Sequence, residues 1–259
     1  MRAEWNERAR EDAHYYVAFG RRDQDDREFL ATAADVVRDL EGELKRFPAD
    51  IPLSSGRALE IGCGPGRLMR PMSRHFGEIH GIDVSDEMVA QAREKLRDIP
   101  WAQAHHASGS DLAPFPSDHF DFVYSYAVFQ HIPSAAVVFS YLRETVRVLK
   151  PGGTLIVADM MFGRGGTSHD RAIIKSKVGA LAKKGVGGWW RIAKNSYRYL
   201  IRAQERPVSI STWATMFARA GFKGITASSI VNEAGLVTGR RPAGNTQPHQ
   251  VPRQSAPAD

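Results

Sequence analysis

The chain has 259 residues, with 35 Lys and Arg against 29 Asp and Glu, a net charge of +6 and one cysteine, Cys63. That length suits one large α/β domain with insertions, or at most two small domains. A single cysteine excludes an internal disulfide and a cysteine-based metal cluster. No apolar run approaches the ~18–20 residues of a membrane-crossing helix, and Met1 to Trp5 do not open a signal peptide. The expectation is a soluble, cytoplasmic protein, monomer or homodimer.

Residues 1–47 read as helical. Leu30, Ala33, Val37 and Leu40 recur at three- and four-residue steps with charges between them, and Pro48 and Pro52 close the segment. A first strand is expected at about 57–61 and a helix at about 67–76, with Pro71 inside it. A second strand ends at Asp83. Ser85 can cap the next helix, with Asp86 and Glu87 in its first turn and Arg93, Lys95 and Arg97 toward its end, as the helix dipole prefers. Strands follow at about 101–106 and 120–125, a helix at 134–149 and a fifth strand at about 154–159. After residue 206 come a helix from Ser209 to Ala220, stopped by Gly221, and strands at about 222–231 and 234–240. Strand and helix signals alternate, which argues for a doubly wound, mostly parallel sheet of seven strands. Residues 242–259, with four prolines, read as a disordered tail.

Charge is uneven. Between residues 163 and 206 eleven Lys or Arg stand against Asp170 and Glu205, a net +9 that leaves the rest of the chain at −3. This stretch leaves strand five at the edge where open α/β sheets bind ligands. Its apolar residues, Ile174, Val178 and Leu181, then Trp190, Ala193, Tyr197 and Leu200, fit two amphipathic helices. They fit packing on the core with a solvated basic back, a lid over an anionic substrate, or contact with a membrane surface.

The chemistry is written in Glu60-Ile61-Gly62-Cys63-Gly64-Pro65-Gly66-Arg67 and, some twenty residues on, Gly81-Ile82-Asp83-Val84-Ser85. A glycine turn lets a backbone approach a ligand, and an acid at that distance accepts hydrogen bonds from ribose hydroxyls, so the pair suits an adenosine-containing cofactor. The spacing G-x-G-x-G is neither the dinucleotide G-x-G-x-x-G nor a Walker loop. Glu60 would repel a pyrophosphate and suits a cofactor with a cationic amino-acid end.

These two motifs resemble those of class I S-adenosylmethionine-dependent methyltransferases. Ser110-Asp111-Leu112, Phe120 to Tyr124 and Val148 to Leu155 resemble the family's later pieces. The resemblance covers roughly 55–160 and resumes at 207–240. It implies a Rossmann-like fold, in which an N-terminal helical segment (1–50) closes over a methyltransferase domain (51–241) that carries the basic insertion. It implies S-adenosylmethionine as cofactor. Glu60, Gly62, Cys63, Gly64 and Gly66 would form the loop, Asp83 and Val84 the ribose site, Asp111, Leu112 and Met88 the adenine site, and Ser125 and Tyr126 the sulfonium side. His131 is the candidate base, or a histidine that caps the next helix. Tyr15, Tyr16, Trp190 and Tyr197 are candidate acceptor contacts, although tyrosines placed in an amphipathic helix, as Tyr15 and Tyr16 are, are more often packing residues. No metal site converges in the sequence.

The expected reaction is methyl transfer to an oxygen or nitrogen of a small acceptor, an anion suiting the basic insertion. No Asn/Asp-Pro-Pro-Tyr-like tetrad follows strand four, where Ser125-Tyr126-Ala127-Val128 stands, which argues against nucleic acid. Lipid or nucleic-acid methylation and a non-catalytic cofactor-binding scaffold are the alternatives.

Overall fold

The computed structural model describes residues 1–18, 22–46, 52–160, 209–229 and 234–243. The basic stretch 163–206, with Trp190 and Tyr197, and the tail beyond residue 243 lie outside the described residues.

Seven strands form one sheet: β1 (Arg57–Ile61), β2 (Glu78–Asp83), β3 (Ala102–His106), β4 (Phe120–Tyr126), β5 (Leu149–Met160), β6 (Lys223–Ser229) and β7 (Ala234–Arg240), in the order β3-β2-β1-β4-β5-β7-β6. The first five strands run parallel, and β7 is antiparallel to both β5 and β6. The order reverses between β1 and β4, so the crevice of this sheet opens at their carboxyl ends.

Alternation along the strands divides the core in two. Leu59, Val123, Leu155 and Val157 face one side with Leu142, Trp213 and Phe217. Ala58, Phe122, Tyr124 and Ile156 face the other with Val37, Leu40, Met69 and Met72. Strands covered on both faces in this way are typical of parallel sheets.

Seven α-helices occur among the described residues: α1 (Arg2–Ala18), α2 (Asp26–Ala31), α3 (Ala34–Leu44), α4 (Met69–Met72), α5 (Asp86–Lys95), α6 (Ala135–Val148) and α7 (Ile210–Ala220). The expected cap at Ser85 forms, and Ser209, read above as the first residue of its helix, is the N-cap of α7. Ser85 Oγ accepts from the Met88 N–H at 3.1 Å, and Ser209 Oγ accepts from the Thr212 N–H at 3.1 Å. Gly221 closes α7 in the left-handed region at φ 111°.

The expected N-terminal helix is broken into three pieces, and α1 itself kinks at Asp12 (φ −171°, ψ 86°). The Asp12 carboxylate accepts from the Tyr15 N–H at 2.9 Å and so begins a new helical segment. The helix expected at 67–76 is only α4 followed by a 3-10 turn at Ser73–His75. Pro71 has no N–H to continue the ladder. Leu149, read above as the last residue of a helix, instead starts β5, paired with Phe120.

α1 lies along α5, where it seals the carboxyl edge of β2. Ser85 Oγ donates to Asn6 Oδ1 at 2.6 Å, Gln91 Nε2 donates to the Ala9 carbonyl at 3.1 Å, and Ala9, Ala13 and Met88 form a small apolar cluster between the helices. The ion pairs Arg2–Asp86 and Arg10–Glu87 are exposed and contribute little.

Candidate active site

A cavity of about 430 Å³ opens at the carboxyl ends of β1, β2, β4 and β5, beneath α1. Its floor is the loop that leaves β1. The N–H groups of Gly62 and Cys63 both donate to the Ile82 carbonyl, at 2.8 and 2.9 Å, which pins the loop to β2. A Cβ on Gly81 would stand 2.3 Å from Met69 Sδ and 2.6 Å from Cys63 Cβ, so only glycine lets loop and helix pack onto the strand. Gly62 has φ +75°, and a Cβ there would stand 2.3 Å from Val128 Cγ2.

Gly62→Ala therefore combines a left-handed alanine with a clash. We expect a loss of roughly 2–4 kcal/mol of stability, read as a lower melting temperature, together with a distorted loop. A melting temperature equal to that of the parent would mean that Val128 yields without cost.

Asp83, the last residue of β2, is locked to the same loop. Its Oδ2 accepts from the Gly64 N–H at 2.9 Å and its Oδ1 from the Ser85 N–H at 2.8 Å. Burial raises its pKa, while the donated N–H bonds of Ser85, Gly64 and Val84 oppose the rise. With three N–H groups about its two oxygens, the carboxylate keeps at least one lone-pair direction for a ligand.

Behind the loop, Glu60 is 3% exposed and accepts from the Tyr124 hydroxyl at 3.0 Å. Burial pushes its pKa up to about 8, against the opposing influence of the Tyr124 bond and of Arg67. Arg67 also lines the cavity and is buried. It donates to the Thr32 carbonyl at 3.1 Å and lies 5.5 Å over the Tyr126 ring, while its Nε–H has no partner. Burial pushes the Cys63 thiol well above its ordinary value, so it stays neutral.

The opposite wall comes from the turn after β4. His131 sits in a 3-10 turn, Phe129–His131, where its Nε2 lies 3.3 Å from the Gln130 amide nitrogen and its ring meets Trp5 edge-on at 5.3 Å. Burial, and then Arg8, push its pKa down to about 4 rather than leaving it near neutrality. It does not cap α6, because Ser134 does.

Residues 59–157 match the methyltransferase-domain family. The chain carries a class I S-adenosylmethionine-dependent methyltransferase domain. Trans-aconitate 2-methyltransferase of Azoarcus is 30% identical over 135 residues, which are 51% of this chain and 49% of that protein. The ubiquinone/menaquinone C-methyltransferase UbiE of Yersinia pestis is 28% identical over 199 residues, 72% and 74% of the two chains. The chain thus spans about half the length of the first of these relatives. Phosphoethanolamine N-methyltransferase 2 of Haemonchus contortus, solved with S-adenosylmethionine, shares the fold at 16% identity and a TM-score of 0.55, over 79% of this chain and 52% of its own.

The methyltransferase cavity gathers most of the residues expected for it. Glu60, Gly62, Cys63, Gly64, Asp83, Val84, Met88, Tyr126, His131 and Tyr16 line it. Gly66, Asp111, Leu112, Ser125 and Tyr15 do not. Gly66 is turned toward α5, where a Cβ on it would meet Ala92 and, just past the helix end, Leu96. Leu112 is fully buried in the core. Ser125 Oγ donates to the Ile61 carbonyl at 3.0 Å and ties β4 to β1. The Asp111 carboxylate accepts from the Ala113 N–H at 3.1 Å, two residues past the cavity-lining Gly109. Tyr15 is buried under the Arg22 guanidinium, 4.4 Å from its ring.

Sequence reasoning missed Trp5, Val17, Val128 and Arg67, all of which line the cavity. A cation directly after the last loop glycine was the available signal for Arg67. Trp5 offered none, because α1 has almost no amphipathic period.

Proposed function

We propose that this methyltransferase transfers the methyl group of S-adenosylmethionine to an oxygen or nitrogen of a small acceptor. The observation that carries the reading is the lock between the glycine loop and Asp83 at the mouth of a cavity whose far wall holds His131. The sulfonium cofactor supplies an already activated methyl carbon. The chain has only to orient, dehydrate and, where the acceptor needs it, take a proton.

Asp83 accepts the two ribose hydroxyls, with Val84 beside it and Met88 under the ring. Gly62 and Gly64 offer backbone close to the methionine end, where the Glu60 carboxyl and the Arg67 guanidinium lie together. Tyr126 and His131 face the acceptor. Trp5 and Tyr16 on α1 exclude water from above, so the N-terminal helix is a cover over the site. An anionic acceptor suits the basic stretch 163–206.

Isothermal titration with S-adenosylmethionine and S-adenosylhomocysteine, followed by a labelled-methyl screen of carboxylic acids, phenols and amines, tests the reading. Micromolar binding with turnover of one class supports it, and absence of binding ends it. With the acceptor in hand, His131→Ala should lower kcat about 100-fold while cofactor affinity stays within threefold. Because burial keeps His131 neutral, its rate contribution should show no inflection between pH 6 and 8. Parental kcat in His131→Ala would remove the histidine from the mechanism.

A further inference from the structure

The edge of the sheet opposite the cavity carries an unassigned cluster. Glu78 opens β2 directly across from Arg57, the first residue of β1. His80 lies two residues on, with its Nε2 2.8 Å from Glu78 Oε1. His119, just before β4, brings a third donor, and the ligand atoms of Glu78, His80 and His119 all lie within 4.8 Å of one another. Along β2, Glu78 stands five residues and His80 three residues from Asp83, about 16 and 10 Å, so the cluster belongs to neither the cofactor loop nor the acceptor wall.

We propose that Glu78, His80 and His119 form a binding site for a divalent transition ion of the zinc type. Two imidazoles and one carboxylate are the donor set such ions take, with a fourth position left to water. An ion held at about 2.0–2.2 Å from each ligand sets donor atoms roughly 3.4 Å apart. Closing the site therefore asks for movements of about 1 Å, which Glu78 and His119, both half-buried, supply more readily than the buried His80.

The surroundings are already arranged for an ion. His80 Nδ1 lies 2.9 Å from His105 Nε2, so His105 can accept the second ring proton of His80 and free Nε2 as a ligand. Arg57 Nε donates to Glu78 Oε2 at 2.8 Å, which orients the carboxylate and leaves Oε1 toward His80. The nearby cations are themselves paired, Arg57 with Glu78 and Lys150 with Asp121 at 2.8 Å.

The ion would staple the start of β2 to the start of β4 across β1, since the sheet order there is β2-β1-β4. Its role would be stability of the sheet and not methyl transfer, so the site stands or falls independently of the proposed reaction.

The test uses the full chain stripped with a chelator and titrated calorimetrically with ZnCl2, with MgCl2 as control. One zinc site of micromolar or tighter affinity is expected, with no response to magnesium. At a hundredfold excess of free zinc over Kd, the melting temperature should rise by roughly 5–10 °C. His119→Ala and Glu78→Gln should each weaken binding at least tenfold, whereas His75→Ala, at a separate surface histidine, should leave it unchanged. Absence of zinc binding, or binding that His119→Ala leaves intact, overturns the proposal. Should the variants fail to fold, anomalous scattering at the zinc edge from a soaked crystal decides it. A peak between Glu78, His80 and His119 supports the site, and no peak there refutes it.

Discussion

Asp83→Ala should weaken binding of S-adenosylmethionine by roughly 100- to 20,000-fold. A carboxylate hydrogen bond contributes about 1.5–3 kcal/mol, and two ribose hydroxyls are to be held. The same carboxylate also holds the Gly64 N–H at 2.9 Å and the Ser85 N–H at 2.8 Å, so the substitution loosens the loop as well. The two causes separate in a double cycle with a cofactor analogue lacking both ribose hydroxyls. If the contact is direct, that analogue binds the parent weakly and loses little more in Asp83→Ala. If the loop is the whole effect, analogue and cofactor lose the same factor. Unchanged affinity for the intact cofactor would remove Asp83 from the ribose site.

That this residue could be found from sequence, while the cover above it could not, has a physical reason. The loop and Asp83 obey short-range rules. A strand must end, a glycine must turn, and an acid must follow at the length of one helix and one strand. Strand β1 and the end of β2 accordingly fall where the spacing put them. The caps at Ser85 and Ser209 are equally local. Trp5 reaches the cavity only because α1 docks along α5 through Asn6, Gln91 and a few alanines, and nothing in the local pattern states that docking. Ser125 failed in the opposite direction. It stands at the motif position, but it does not line the cavity, and its hydroxyl proton goes to the Ile61 carbonyl. The Glu78, His80 and His119 cluster was invisible for a third reason, since its members converge only after β1 is laid between β2 and β4.

The pH dependence of the cofactor-free protein should be dominated near neutrality by Glu60. Its folded pKa of about 8 lies above the ordinary 4.5. The folded state therefore keeps a proton that the unfolded state has lost, and stability falls as pH rises from 4.5 to 8. His131 works against this lower down. Its folded pKa of about 4, against 6.5, makes stability rise between pH 4 and 6.5. The two largely cancel below pH 6.5, which leaves the window from 6.5 to 8 to Glu60. There the expected loss is about 2 kcal/mol, taken at 1.36 kcal/mol per pKa unit. Urea unfolding at pH 6.5, 7.25 and 8 measures it, and Glu60→Gln should flatten the slope across that window. Equal slopes in parent and variant would mean that Glu60 is already ionised when the cavity is empty. The same proton reports on the cofactor. A cationic amino-acid end brought against Glu60 favours its ionised form, so binding at pH 7 should release close to one proton. Calorimetric enthalpies in buffers of different ionisation heat read that number directly, and Glu60→Gln should bring it to zero. Release that persists in Glu60→Gln would assign the proton to another group in the cavity, with Asp83, whose pKa burial also raises, the next to substitute.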